Sequence, residues 1–400
     1  VKRGPALALI ALLVLLSLVL WQRSALWRAA YPYLPGRVQT LPYRLRPAHT
    51  PVALPTPERG PVVAAPISLP ATDAPPPSPP PTDAPRATPT AIPLPGAAQV
   101  AGIRHAYQRW NNCGPVTVAM ALSAFGDTVD QMTAAQVLKP DPDDKNVGPE
   151  ELAGFARQRG YGATVRVNGD LDRLRALVAA GLPVIAETWF IPKPGDEMGH
   201  YRLVTGYSDA DGVILTADSY EGPEIRVPYD EFDRLWRVFN RSYVVAWPTD
   251  RAAAATELLR PDVDDQVMYV RAAAQAQAEL SAEPDAFGWF NLGSSLVGLG
   301  DTAGAAHAFD EARAAGLPWR MLWYQFGPFE AYAAQDRWPD VRALAEANLK
   351  NAGNLEESLY WRGRARAALG DAAGATGDFQ KAVSLNPNFT PAQEALSGAQ

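Results

Sequence analysis

The chain has 400 residues, 47% of them hydrophobic and 20% charged, with a formal net charge of -7 and a pI near 5.3. That length exceeds one ordinary domain and predicts two or three. The acidic balance, with no basic stretch to offset it, excludes nucleic acid as the main partner. A single cysteine excludes an internal disulfide, and four histidines (His49, His105, His200 and His307) leave a structural zinc site almost no ligands.

At the N-terminus Lys2 and Arg3 precede an uninterrupted apolar run from Ala6 to Trp21. As a helix this run covers about 24 Å, slightly short of a hydrocarbon core, with Trp21 and Trp27 suited to an interface. Residues 1–28 are therefore expected to form an uncleaved transmembrane anchor, with the bulk of the chain extracytoplasmic. A cleaved signal peptide is the rival reading, but no good small-x-small site follows the run. Residues 29–100 hold 20 of the 38 prolines, with a core of "APPPSPPPTDAPRATPTAIPLP". Such a run cannot pack into helices or central strands, and it predicts a disordered, extended spacer of up to roughly 200 Å.

Residues 101–250 turn globular. Helices are predicted over 114–125, at "GPEELAGFARQRG", where Pro149 suits a first turn and Gly160 a stop, and over 171–181. The apolar run "VIAETWF" follows, and the period then changes to strands at "HYRLVTGYSD", "GVILTAD", "EIRVPY" and "SYVVAWP". Helices first and an antiparallel sheet after define an α+β domain. The acidic "DPDDKNVGPEEL" (141–152) resembles a calcium loop, but Asn146 occupies the position that requires glycine, and a solvated loop near the cleft is expected.

Residues 251–400 are alanine-rich, helical and repetitive. "GLGDTAGAAHAFDEA" (298–312) recurs as "ALGDAAGATGDFQKA" (368–382), so Gly293, Gly300, Ala305 and Phe309 return 70 residues later as Gly363, Gly370, Ala375 and Phe379. Seventy is twice 35, close to the tetratricopeptide (TPR) period, and a middle copy fits around "YQFGPFEAYAAQDRWPDVRALAEANL". This region resembles a TPR solenoid of about three repeats after a degenerate first copy at 272–284. Such repeats commonly bind peptides or proteins in a concave face.

The stretch "QRWNNCGPVTVAMALSAFG" (108–126) places Cys113 where a helix begins. Unpaired amides there lower a thiol pKa, and the thiolate is the reactive form. A nucleophilic cysteine needs a base, and His200 is the histidine that opens a strand of the sheet. An imidazole needs an orienting group, and Asp218 would lie beside His200 if the strands joined by "SDADG" pair. Gln108 is available as a side-chain oxyanion donor.

"Q....NCGP" ahead of an apolar helix, then "GHY.LVTGY" and "VILTADSY", resemble the papain-like cysteine peptidases of family thirty-nine over about residues 101–248. More specifically they resemble the stand-alone C-thirty-nine-like domains of exported bacterial proteins. The resemblance implies Cys113 as nucleophile, His200 as base, Asp218 as orienting acid and Gln108 as oxyanion donor, acting on a peptide or protein without metal or organic cofactor. Gln108 lies five residues before the cysteine where six is usual, which leaves Asn111 and Asn112 as substitutes. The chain lacks the transporter modules of leader-cleaving members, so bacteriocin maturation is not implied. The complete Cys, His and Asp set favours an enzyme over a catalytically silent binding module or an envelope scaffold, and the repeats imply a protein partner in every case.

Overall fold

The computed structural model describes residues 51–57 and 94–398, apart from 110, 142, 143, 145, 193 and 194, together with residue 17. Apart from that one residue, the expected anchor at 1–28 lies outside the described residues, as does most of the proline-rich segment. Among the described residues no helix is long and apolar enough to cross a membrane.

An antiparallel sheet organises residues 94–248. Its strands run in the order β2 (Gly162–Arg166), β7 (Tyr243–Trp247), β3 (Val184–Phe190), β4 (Met198–Ser208), β5 (Val213–Asp218) and β6 (Gly222–Pro228). The short β1 (Ala97–Gln99) pairs with the end of β4 through Ala98 and Tyr207, so the globular unit begins ahead of the expected boundary at 101.

Side-chain alternation along β3 sends Ile185 to one face and Val184 and Ala186 to the other. The first face packs α1 (Cys113–Ser123), α2 (Gln131–Leu138) and α3 (Pro149–Gln158) through Val116, Leu122, Leu138, Leu152 and Phe155. The second packs α4 (Leu171–Ala179), α5 (Tyr229–Arg237) and α6 (Ala252–Leu259) through Leu174, Leu177, Phe232, Trp236 and Leu259. The expected α+β arrangement is present, with the sheet enclosed on both faces. The pattern of the sequence did not point to α2, α5 or β2, whose short lengths give little periodicity.

Beyond α6 the chain is helical: α7 (Asp265–Ala282), α8 (Ala286–Leu299), α9 (Thr302–Ala314), α10 (Gly327–Ala334), α11 (Trp338–Asn351), α12 (Glu356–Ala368), α13 (Ala372–Leu385) and α14 (Thr390–Gly398). The 70-residue correspondence is physical. A Cβ on Gly293 would meet the Phe309 ring at 2.7 Å, and one on Gly363 would meet Phe379 at 2.5 Å, so each pair of helices closes on an aromatic ring over a glycine. Between the helices Gly300 and Gly370 adopt positive φ, and Asp301 and Asp371 cap the next helix by accepting from the Gly304 and Gly374 amides.

The helical domain does not hang free. Trp189, Val238 and Phe239 of the sheet domain join Phe290, Leu292 and Leu296 in one core. Around it, Arg237 pairs with Glu279 and Asp285, and Asn240 Nδ2 donates to Ser295 Oγ at 3.0 Å. The described part of the acidic loop around Asp144 and Asn146 is also enclosed rather than solvated. Asp144 is 1% exposed, and Asn146 Nδ2 donates to Glu357 Oε1 of α12 at 3.0 Å. The helical domain covers it, which a local reading could not foresee.

Candidate active site

Cys113 is the first residue of α1, half-buried at its mouth. Asn112 is the N-cap but makes no side-chain capping bond. Its Nδ2 instead donates to Gln131 Oε1 at 3.3 Å, while Asn111 Nδ2 donates to the Asp144 carbonyl at 3.2 Å. The helix therefore turns uncapped backbone amides toward its first residue. Lys139, buried behind this turn, donates to the carbonyls of Asn111 and Asp144.

The strands supply the partners. His200 near the start of β4 is buried and faces Cys113 closely enough for the two side chains to influence each other's titration. Its Nε2 lies 3.0 Å from Asp218 Oδ1, which leaves Nδ1 for the sulfur. Pairing of β4 with β5 sets Arg202 opposite Asp218. Asp218 Oδ1 also accepts from the amides of Tyr220 (2.7 Å) and Glu221 (3.0 Å), and Oδ2 accepts from Arg202 Nε at 3.0 Å. A fully buried carboxylate whose oxygens are all engaged cannot rotate. The Phe190 ring, 5.1 Å from the imidazole and 5.8 Å from the Arg202 guanidinium, closes the other side.

Electrostatics follow from this geometry. Burial works to raise the Cys113 thiol, but the hydrogen bond and charge of His200, the Tyr201 amide and the Lys139 charge outweigh it and lower the pKa. Burial opposes the His200 imidazolium too, yet the Asp218 charge and hydrogen bond, together with Cys113, push it up to about 9. Asp218 is itself held well below the usual carboxylate range, against burial, by His200 and Arg202. The geometry thus favours the thiolate and imidazolium pair over the neutral pair.

Gln108 is tied to the residue that follows Asp218. Its backbone amide donates to the Ser219 carbonyl at 2.9 Å, and its Oε1 accepts from Ser219 Oγ at 2.8 Å. The Gln108 carboxamide keeps its nitrogen as a donor, whereas Asn111 and Asn112 have theirs committed elsewhere. The structure thus brings Cys113, His200 and Asp218 together and seats Gln108 beside them. Among the described residues no cluster of His, Cys, Asp and Glu could hold a metal ion.

Several neighbours escaped the sequence. Arg202 had a signal, two residues after His200 on the same strand face. His105 Nε2 lies 2.9 Å from the Asp218 carbonyl. Glu187 of β3 is buried opposite Tyr201, and burial together with the Cys113 charge raises its pKa well above the ordinary value. Two residues come from the helical domain. Gln325 Nε2 donates to Glu187 Oε2 at 3.3 Å, and the Tyr324 ring lies against Gly199, where an added Cβ would meet it at 3.0 Å. Nearby, Arg320 donates to the Glu197 carbonyl and pairs with Asp196, fastening the turn before His200.

A thiol at a helix mouth, an imidazole facing it and a carboxylate hydrogen-bonded to that imidazole are the groups that nucleophilic cysteine chemistry uses. Residues 95–244 match the Peptidase_C39 like family, which makes this segment a C39-like domain. Among solved structures, one described as a C39-like peptidase from Bacillus anthracis is similar at 18% identity and a TM-score of 0.32, over 38% of this chain and 96% of that one. A double glycine motif protease from an AMS/PCAT transporter, in complex with its leader peptide, gives 19% identity and a TM-score of 0.30 over 38% and 95% of the two chains. The peptidase domain of Streptococcus ComA, a bi-functional ABC transporter of a quorum-sensing pathway, gives 15% and 0.29 over 37% and 99%. No curated protein matches the chain.

Proposed function

We propose that the chain is a membrane-tethered, extracytoplasmic cysteine peptidase or amidase whose helical domain holds a protein partner. The observation that carries this reading is the continuous series Cys113, His200, Asp218, with its charges balanced by Arg202. The Cys113 thiolate attacks an amide carbonyl carbon, and the carbonyl π pair moves to oxygen. The oxyanion is met by the Gln108 carboxamide and backbone amides at the start of α1. Collapse expels the amine, which takes the His200 proton, and leaves a thioester. His200, now neutral, removes a proton from water, whose oxygen displaces the thiolate and releases the acid. Tethering is supported by the basic residues and apolar run at 2–21, and partner binding by the 70-residue correspondence of helix pairs.

The test uses the full chain in detergent with a proteome-derived peptide library, reading new N-termini by mass spectrometry. Wild type should generate termini that Cys113→Ala and His200→Ala do not. If all three chains give the same termini, and Cys113 reacts with chloroacetamide no faster than a free thiol, the peptidase reading fails.

A further inference from the structure

Residues 51–57, "PVALPTP", belong by composition to the proline-rich spacer, yet they lie against the helical domain without forming a helix or strand of their own. Asn351, the last residue of α11, reads the Val52 backbone on both sides. Its Oδ1 accepts from the Val52 amide at 2.8 Å, and its Nδ2 donates to the Val52 carbonyl at 2.9 Å. Three residues on, Arg313 of α9 donates through Nε (3.0 Å) and Nη2 (2.7 Å) to the Pro55 carbonyl. Between these two grips Leu54 packs against the apolar core of the helical domain.

The grip is built, not incidental. Arg313 is only 7% exposed, its Nη1 is held by Asp340 at 2.9 Å, and its guanidinium lies 5.3 Å from the Tyr332 ring. An arginine neutralised and fixed in this way presents one free edge of its planar fork. Asn351 pairs as a strand would, donor to carbonyl and acceptor from amide, which demands an extended ligand with a free N–H at that position. Proline is excluded there and admitted three residues later, where only a carbonyl is read. The sequence satisfies both demands, with valine at 52 and proline at 55.

We propose that the face formed by α9 and α11 is a binding site for an extended, apolar, proline-containing peptide, and that residues 51–57 are its resident ligand in cis. This does not depend on the peptidase reading. It places the recognition surface on the second helices of successive pairs. A segment joined to its own site acts at an effective concentration on the order of millimolar, so a free peptide must be abundant or tight to displace it. The docking also divides the spacer. Only residues 29–50 would separate an anchor at 1–28 from the body of the protein, a reach of about 70 Å instead of roughly 200 Å.

The experiment uses the full chain in detergent. Amide exchange read by mass spectrometry should show the 52–56 segment protected at least tenfold over a synthetic peptide of residues 50–58, and Asn351→Ala should abolish that protection. A fluorescent copy of the 50–58 peptide should bind a Leu54→Asp chain at least tenfold more tightly than the intact chain. Adding Asn351→Ala to Leu54→Asp should remove the binding, with circular dichroism melts certifying that each variant folds. The proposal is overturned if 52–56 exchanges as the free peptide does, or if the peptide binds the Leu54→Asp chain and the Leu54→Asp, Asn351→Ala chain alike. A concentration-dependent dimer that Leu54→Asp dissociates would overturn the cis arrangement.

Discussion

Asp218 shares its carboxylate between His200 and Arg202, one oxygen to each at 3.0 Å. An asparagine there could accept from only one of them, because its nitrogen would face a donor with a donor. Asp218→Asn also removes the charge that lifts His200 to about 9. The high-pH limb of peptide hydrolysis should move from about 9 toward the ordinary histidine range, and kcat/KM should fall by about 10²-fold or more. A limb that stays near 9 would remove Asp218 from its orienting role.

The lone cysteine makes the pH dependence directly readable, since intact-mass shifts on alkylation report Cys113 alone. Thiolate is present above the lowered Cys113 pKa, and the imidazolium that stabilises it is lost as pH rises through about 9. Chloroacetamide labelling should therefore already be fast near neutrality. In His200→Ala nothing offsets burial sufficiently, the thiol pKa rises, and labelling at pH 7 should drop by more than about tenfold. Equal rates in the two proteins would contradict the ion pair.

Burial, and then the charge on Cys113, raise the Glu187 pKa well above its ordinary value and favour its protonated form. Glu187→Gln keeps a neutral group of the same shape and should retain the wild-type labelling profile. Glu187→Ala leaves Gln325 Nε2 without its acceptor inside a void, and should cost about 1–3 kcal/mol of stability in denaturant melts. Were Glu187 ionised, Glu187→Gln would instead speed labelling by removing a repulsive charge.

The glycine-over-ring contact predicts the response of the helical domain. Gly363→Ala forces a methyl within 2.5 Å of Phe379 and should destabilise by about 1–3 kcal/mol, with Phe379→Leu in the same chain recovering part of the loss. Gly293→Ala against Phe309 should behave alike. An unchanged melting temperature for both would show that the helix pairs close in some other way.

The enclosed acidic loop predicts a pH-sensitive junction. Burial, reinforced by Asp144, pushes Glu151 up to about 7, although the Gly148 amide opposes it. Burial and then the neighbouring Glu356 and Asp144 raise Glu357 well above its ordinary value. The folded state thus binds protons that the unfolded chain, with glutamates near about 4.3, releases earlier. This contribution is fully present below about 4.3 and is lost as pH rises through the folded values. Melting temperature should fall across about pH 5 to 8, and Glu357→Gln should flatten the fall. A wild-type curve that rises over that window would refute it.

The sequence was sufficient where chemistry and local geometry coincide. Cys113 at the opening of an apolar helix, His200 at the head of an alternating strand and Asp218 at the end of its hairpin partner were all legible, because hairpin pairing ties residues close in sequence into one register. The paired helices were legible for the same reason, as Gly293 and Phe309 recur at a fixed interval. What the sequence could not disclose were contacts between segments with no shared period. Gln325 reaches Glu187, Glu357 encloses Asn146, and Asn351 holds Val52 across 299 positions. In each case a polar group is ordinary in its own segment. Its meaning arises only when docking of the helical domain removes water and obliges it to find a partner.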